Sequence, residues 1–311
     1  MTAPSLPGAI LAVLMAASSA SDPADEAGRG AGVADTTRVV LLGTGNPNPD
    51  PDRSGPAVAI VAGDHPYLVD CGPGVVRRAE AARQKGVEAL ESRKLDIVFL
   101  THLHSDHTLG CPDLLLSPWV TDRASPLRVY GPPGTRALFD GILAAYDADI
   151  RNRRTGLQPH NDTGWVAEVT EIEPGVAYED DRVRVTAFLV PHDGWETAFG
   201  YRFETADRTV VVSGDTRPSD AVVEACRGCD VLVHEVYSDA AFARLPVEWQ
   251  RYHADAHTSA SELARLAGRA RPRLLVLYHQ LFWGASEEEL LAEVKRGYDG
   301  QTVSAHDLDV F

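Results

Sequence analysis

The sequence predicts an α/β layer protein: a sandwich of two mixed β-sheets with helices on both outer faces. Three observations predict it. Strand-like and helix-like segments alternate in two similar blocks after residue 36, no repeat of solenoid length is present, and polar clusters fall at the ends of apolar strands, where loops converge. With 311 residues, 44% of them hydrophobic, the chain is long enough to bury a full core and sits near the upper size of one α/β domain. The simplest division is one catalytic domain over residues 35–311, preceded by a separate segment over residues 1–34.

Taken in order, the first block reads as strands Arg38–Gly43, Ala57–Ala62 and Tyr67–Asp70, each a short apolar run bounded by turn residues. A helix Val75–Lys85 follows, then a strand Asp96–Thr101, a helix near Leu109–Leu116, a strand Leu127–Tyr130 and a helix Thr135–Ala145. The polar, Arg-rich stretch Asp147–Gly164 separates the blocks. The second block offers strands Val166–Ile172, Val183–Val190, Phe199–Glu204, Thr209–Ser213 and Val231–His234. It continues with a helix Ser259–Ala267, a strand Leu274–Tyr278 and a helix Ser286–Arg296, and closes with short strands near Thr302–Ser304 and Leu308–Val310.

Ahead of the blocks, apolar Ala9–Ala17 is followed by Ser18-Ser19-Ala20 and a polar, Gly-rich tract, the order of a secretory signal cleaved after Ala20. The apolar run is too short to span a bilayer, so no membrane span is expected after its removal. Its first eight residues hold no Lys or Arg. An exported protein, periplasmic or secreted, is therefore expected, with a disordered tail on a cytoplasmic protein as the alternative.

A net charge of −16 repels phosphate backbones and argues against a nucleic-acid partner. A local basic patch would have to come from Arg151-Asn152-Arg153-Arg154, a run short enough to read first as a solvated loop. Four cysteines are too few for a disulfide scaffold. Cys226 and Cys229 have metal-knuckle spacing but no second pair; they read as small residues closing a helix, or as a local bridge if the chain is exported.

The chemistry concentrates where the strand ending at Thr101 runs into His102-Leu103-His104-Ser105-Asp106-His107, four metal-capable side chains within six residues. In extended backbone His102 and His104 point the same way, toward one cation, while Asp106 and His107 on the turn reach a neighbouring one. Imidazoles with carboxylate suit zinc, with iron or manganese as alternatives. Further donors stand at other strand ends: His192, Asp215 and His279.

These residues carry a resemblance. Thr101–His107, Ser213-Gly214-Asp215-Thr216, Val233-His234-Glu235, Leu41-Leu42-Gly43-Thr44-Gly45 and Leu68-Val69-Asp70-Cys71-Gly72 together resemble the ribonuclease Z and arylsulfatase-like branch of the metallo-β-lactamase superfamily. The His-x-His-x-Asp-His signature alone identifies only the superfamily; the combination, from about Val39 to His279, is more specific. The resemblance implies an αββα fold and two divalent metal ions. It implies that His102, His104 and His192 hold the first, that Asp106, His107 and His279 hold the second, and that Asp215 bridges them. Asp70 would orient ligands from outside the metal shell.

Two cations about 3.5–4 Å apart can share a water and lower its pKa toward neutrality, so a bridging hydroxide attacks and no side-chain nucleophile is needed. By the same resemblance His257 is the general acid and Glu235 orients or charges it, with His253 a competitor. Three departures weigh against ribonuclease Z activity: no room for a long tRNA-binding arm between Tyr201 and Ser213, Gln280-Leu281-Phe282-Trp283 in place of Ser-x-Arg-Tyr, and the net acidity with the export signal.

A small phosphoester or sulfate ester is therefore the first expectation, with Phe282 and Trp283 as an apolar wall or as core aromatics, and Arg53 as an anion contact or part of a rigid Pro-rich loop. The alternatives are tRNA 3′ cleavage, lactone or β-lactam hydrolysis, and a non-catalytic zinc-binding module. Members of this family often form homodimers; the sequence leaves the oligomeric state open.

Overall fold

Strand residues alternate between two faces, and that alternation sorts the apolar side chains of this chain into three separate cores. The computed structural model describes residues 36–311, so the segment expected to be an export signal lies outside the described residues. The described residues form one compact unit.

The first sheet holds β1 (Arg38–Gly43), β2 (Ala57–Ala62), β3 (His65–Val69), β4 (Ile97–Phe99), β5 (Leu127–Gly131) and β6 (Ala167–Glu171), side by side in chain order. The second holds β7 (Gly175–Glu179), β8 (Val183–Leu189), β9 (Phe199–Thr205), β10 (Thr209–Val212), β11 (Val231–Tyr237), β12 (Leu274–Leu281) and β13 (Thr302–Ser304), likewise in chain order across the sheet. Each sheet starts with antiparallel pairs and continues with parallel ones.

Between the sheets lie Val39, Leu41, Val58, Ile60, Ile97 and Phe99 from one side, and Tyr201, Phe203, Val210, Val233 and Val276 from the other. The alternate residues of the first sheet, among them Val40, Leu42 and Val98, meet α1 (Val75–Gln84), α3 (Cys111–Val120) and α4 (Thr135–Ala145); the single turn α2 (Ser105–Thr108) precedes α3. Those of the second sheet, among them Val211, Leu232 and Leu275, meet α6 (Asp220–Cys226), α9 (Ala260–Ala270) and α10 (Glu287–Lys295). Three cores between four layers make the αββα sandwich. The remaining helices are α5 (Asp147–Thr155), α7 (Asp239–Phe242) and α8 (Val247–Ala256).

Several expectations change. The polar stretch after residue 147 contains α5, a helix laced by Arg151–Asp147 and Arg153–Asp149 ion pairs four residues apart. Strand β7 and helix α8 were not visible in the pattern, the helix that Cys226 closes is α6, and residues 308–310 form no named strand but lie along β1 with backbone hydrogen bonds and the isolated bridge Val40 to Val310. All four cysteines are paired: Cys71 with Cys111, tying the turn after β3 to the start of α3, and Cys226 with Cys229 at the end of α6. No helix among the described residues is long and apolar enough to cross a membrane.

Arg123, fully buried, locks the helix that follows the metal motif. Pro118 inside α3 has no N–H to offer the carbonyl of Leu114, and Arg123 Nη1 donates to that carbonyl instead at 2.9 Å. The same guanidinium donates to the carbonyls of Leu95, Leu115 and Gly164. Burial pulls its pKa down to about 10, which still leaves it charged at neutral pH. Arg123→Met is expected to destabilise the protein by about 3 kcal/mol or more, because several buried carbonyls lose their donor at once. Urea unfolding checks this, and a loss below about 1 kcal/mol would show that the carbonyls find other partners.

Candidate metal centre

The centre forms where the C-terminal ends of β4, β10 and β12 face one another across the sandwich. Asp70, just past β3 in a left-handed conformation (φ 61°), is buried and accepts from the Thr101 amide (2.8 Å) and the Thr101 hydroxyl (2.9 Å). Its second oxygen also receives His107 Nδ1 at 2.8 Å. That bond places the His107 proton on Nδ1 and turns a lone pair on Nε2 inward.

The same tethering recurs. His102 Nδ1 lies 3.0 Å from the Thr101 hydroxyl, and His192 Nδ1 donates to the Ala256 carbonyl at 2.7 Å, so both present Nε2 to the centre. His104 is turned the other way. Its Nδ1 faces His102 Nε2 (2.9 Å) and His192 Nε2 (3.2 Å), while its outer Nε2 meets the indole N–H of Trp195 at 3.1 Å.

The second sheet brings Asp215 and His279. Gly214 before Asp215 has φ 62°, and a Cβ there would approach the Phe199 carbonyl to 2.7 Å, so the turn requires glycine. His279 is the unpaired residue of a bulge in β12: Tyr278 pairs with Glu235, Gln280 with Val236, and His279 with neither. At φ 45° its ring swings into the centre.

Two sets of donors result, His102, His104, His192 with Asp215, and Asp106, His107 with His279; within each set the ligand atoms lie within 4.8 Å of one another. Asp215 belongs to the first set and also touches the second, with Oδ2 3.4 Å from His107 Nε2 and 3.3 Å from His279 Nε2. The seven side chains named from the sequence are thus brought together, with the carboxylate expected to bridge standing between the sets.

Electrostatics agree with a cation site. Burial holds the His102, His104 and His192 imidazoles below their usual pKa, hence neutral, and the tethered His102 and His192 offer inward Nε2 lone pairs. Burial works against charge on His107 and His279 too, but the Asp215 carboxylate and its neighbours outweigh it and raise both, so a cation taken up there would displace a proton from each ring. Burial likewise opposes charge on Asp215, yet His279 and His107 hold it well below the usual carboxylate range. His107 Nε2 and Asp215 Oδ1 are buried without any hydrogen-bond partner. Inward lone pairs and orphaned ligand atoms of this kind fit divalent cations better than a polar network closed on itself.

His257 caps α8 beside this centre, its Nδ1 3.5 Å from Glu235 Oε2 and 3.9 Å from Asp215 Oδ2. Glu235 is fully buried and fixed by its other oxygen, which accepts from the Thr258 amide at 2.8 Å. Burial pulls His257 down to about 4, while burial and then the charge of Asp215 push Glu235 well up. His257 also groups with Asp215 and His279 as a third potential ligand set.

A cavity of about 800 Å³ opens over the centre, floored by His104, Asp106, Asp215, His257 and His279 and walled by Trp249, Tyr252, His253 and Trp283. Of the two aromatics expected to form a wall, Trp283 does so, whereas Phe282 packs against the outer core and under the Arg53 guanidinium. Arg53 itself is structural, donating to Thr44, Gln280 and the Ala305 carbonyl. Arg151, Arg153 and Arg154 lie away from the cavity on α5. Sequence reasoning missed Trp195 and the aromatic face of α8; the four-residue spacing of Trp249, His253 and His257 was the available signal.

The chain matches the family model described as a beta-lactamase superfamily domain over residues 65–280. Ribonuclease Z of Mycobacterium bovis (strain BCG / Pasteur 1173P2) is 36% identical over 277 residues, covering 87% of this chain and 96% of that protein. Ribonuclease Z of Mycobacterium sp. (strain KMS) is 38% identical over 245 residues, covering 78% and 84%. Among solved structures, human tRNase Z, short form, superposes with a TM-score of 0.65 at 23% identity, over 88% of this chain and 98% of that one. The metallo-beta-lactamase fold protein YhfI from Bacillus subtilis gives 0.66 at 21% identity, over 89% and 100%. These relatives favour the ribonuclease reading over the small phosphoester, sulfate ester and arylsulfatase readings that the sequence put first.

If Asp70 sets the His107 tautomer from outside the centre, Asp70→Asn should weaken divalent-metal binding about 10- to 100-fold with the fold retained. Competition with a chromophoric chelator, alongside circular dichroism, measures both; unchanged affinity would remove Asp70 from the centre.

Proposed function

The chain belongs to the metallo-β-lactamase superfamily, as a hydrolase in the ribonuclease Z branch, and on that premise we propose that it is a metal-dependent phosphodiesterase that cuts RNA, with precursor tRNA 3′ ends as the expected target. The observation that carries this is the position of Asp215, one carboxylate shared by two donor sets and 3.9 Å from His257. It sets the metal positions and the proton donor against the same point in the cavity.

His102, His104, His192 and Asp215 would hold one cation, and Asp106, His107, His279 and Asp215 the other; the imidazole and carboxylate donors suit zinc, with manganese or iron as alternatives. When bound, such a pair supplies an activated water and offsets the charge developing on the phosphoryl oxygens. Tethered outer nitrogens hold the imidazoles in place, so little reorganisation accompanies the reaction. Burial holds His257 neutral and Glu235 protonated, so the proton for the departing oxygen would start on Glu235 and pass through His257, whose Nδ1 lies 3.5 Å from Glu235 Oε2. Trp249, Leu245, Pro246 and Leu281 give the cavity apolar walls beside the polar floor of the centre.

A second reading, hydrolysis of a small phosphoester or sulfate ester by an exported enzyme, has its own support. The described lining of the cavity holds no Lys or Arg, β9 and β10 are joined by a tight turn with no arm, and paired cysteines suit an oxidising compartment.

The metal-loaded protein is expected to cleave precursor tRNA at low salt, with activity lost to chelator and restored by zinc. Turnover of aryl sulfates or small phosphoesters with intact precursor tRNA would overturn the ribonuclease reading in favour of the second. His257→Ala is expected to lower kcat about 10²- to 10⁴-fold at unchanged metal content. Metal loss in that variant would instead make His257 a ligand.

A further inference from the structure

We propose that the cavity over the centre is a slot whose aromatic wall, chiefly the open face of Trp249 backed by His253 and with Trp283 beside it, stacks a base of the RNA substrate near the scissile phosphodiester. This rests on the phosphodiesterase reading above and deepens it.

Helix α8 places Trp249, His253 and its cap His257 four residues apart on one face. Their rings form a near-parallel series running from solvent to the metal centre. Trp249 lies 5.7 Å from His253 at 23°, His253 lies 5.5 Å from His257 at 35°, and His257 lies 5.6 Å from the ligand His279 at 23°. Trp283, in the turn after β12, meets His253 at 4.4 Å and 53°, and Tyr252 stands edge-on to Trp249. Trp249 is 53% exposed although it lines the cavity, so one face of the indole is open to an incoming ring.

Lining chemistry selects the occupant. The flat, partly open indole of Trp249, stacked on His253, matches a planar aromatic partner, whereas an aliphatic group gains less from such a face. No Lys or Arg among the described lining residues would hold a second phosphate there, so the cavity suits the base of a nucleotide whose phosphate sits over the centre. Asn48, which also lines the cavity, offers an amide to a base edge. Stacking of this kind tolerates any base and contributes about 1–3 kcal/mol by alanine substitution, about 5- to 150-fold in binding.

The test uses the metal-loaded full chain with a diadenosine dinucleotide and its analogue lacking both bases. Trp249→Ala is expected to raise KM for the dinucleotide at least about 5-fold while leaving the abasic analogue unchanged, and Trp249→Phe to restore most of the loss. Equal effects on both substrates, or on neither, would overturn the slot. Should the wild type cut neither, the phosphodiesterase reading fails on its own, and binding decides the slot. Adenosine monophosphate should then quench tryptophan fluorescence saturably in the wild type, with ribose 5-phosphate silent and Trp249→Ala unresponsive; absence of quenching in the wild type overturns it.

Discussion

Seven ligand-type side chains drawn from both halves of the chain converge on one small buried volume, and the rest of the architecture is arranged around that convergence. Gathering imidazole lone pairs and carboxylates away from water is costly unless cations or hydrogen bonds satisfy them. The protein ties the outer nitrogens of His102, His107 and His192 to fixed partners, which leaves the inner ones committed to the centre. Asp70 makes the plainest contribution, anchoring the backbone at Thr101 and the ring of His107 with one buried carboxylate.

Backbone strain is concentrated at the same place. Asp70 and His279 both adopt left-handed conformations that non-glycine residues seldom occupy, and His279 adds a bulge to an otherwise regular parallel strand. Three well-packed apolar layers around the sheets supply the stability that such departures require. The paired Cys71 and Cys111 bind together the two segments that flank the Asp70 turn and the His107 helix.

Much of this was legible in the sequence because burial writes a period into it. Residues 231–233 and 274–278 are apolar on both faces and stand out as continuous runs. The ligands were visible as polar residues at the mouths of those runs. What stayed hidden had no such imprint. Strand β7 is an edge strand exposed along most of its length, and α5 is polar nearly all round. Helix α8 turns its aromatic residues toward a cavity rather than a core, so only His253 and Ala256 are buried and no core stripe forms. The bulge at His279 depends on pairing between β11 and β12, which local pattern does not encode, and Trp195 sits on a loop whose course only the fold determines.

The account stands on two cations sharing Asp215. Anomalous diffraction from crystals of the zinc-loaded protein measures this directly. Two peaks per chain should appear, one among His102, His104 and His192 and one among Asp106, His107 and His279, with the Asp215 carboxylate between them. A single peak, or peaks elsewhere with these side chains closed on one another, would contradict it.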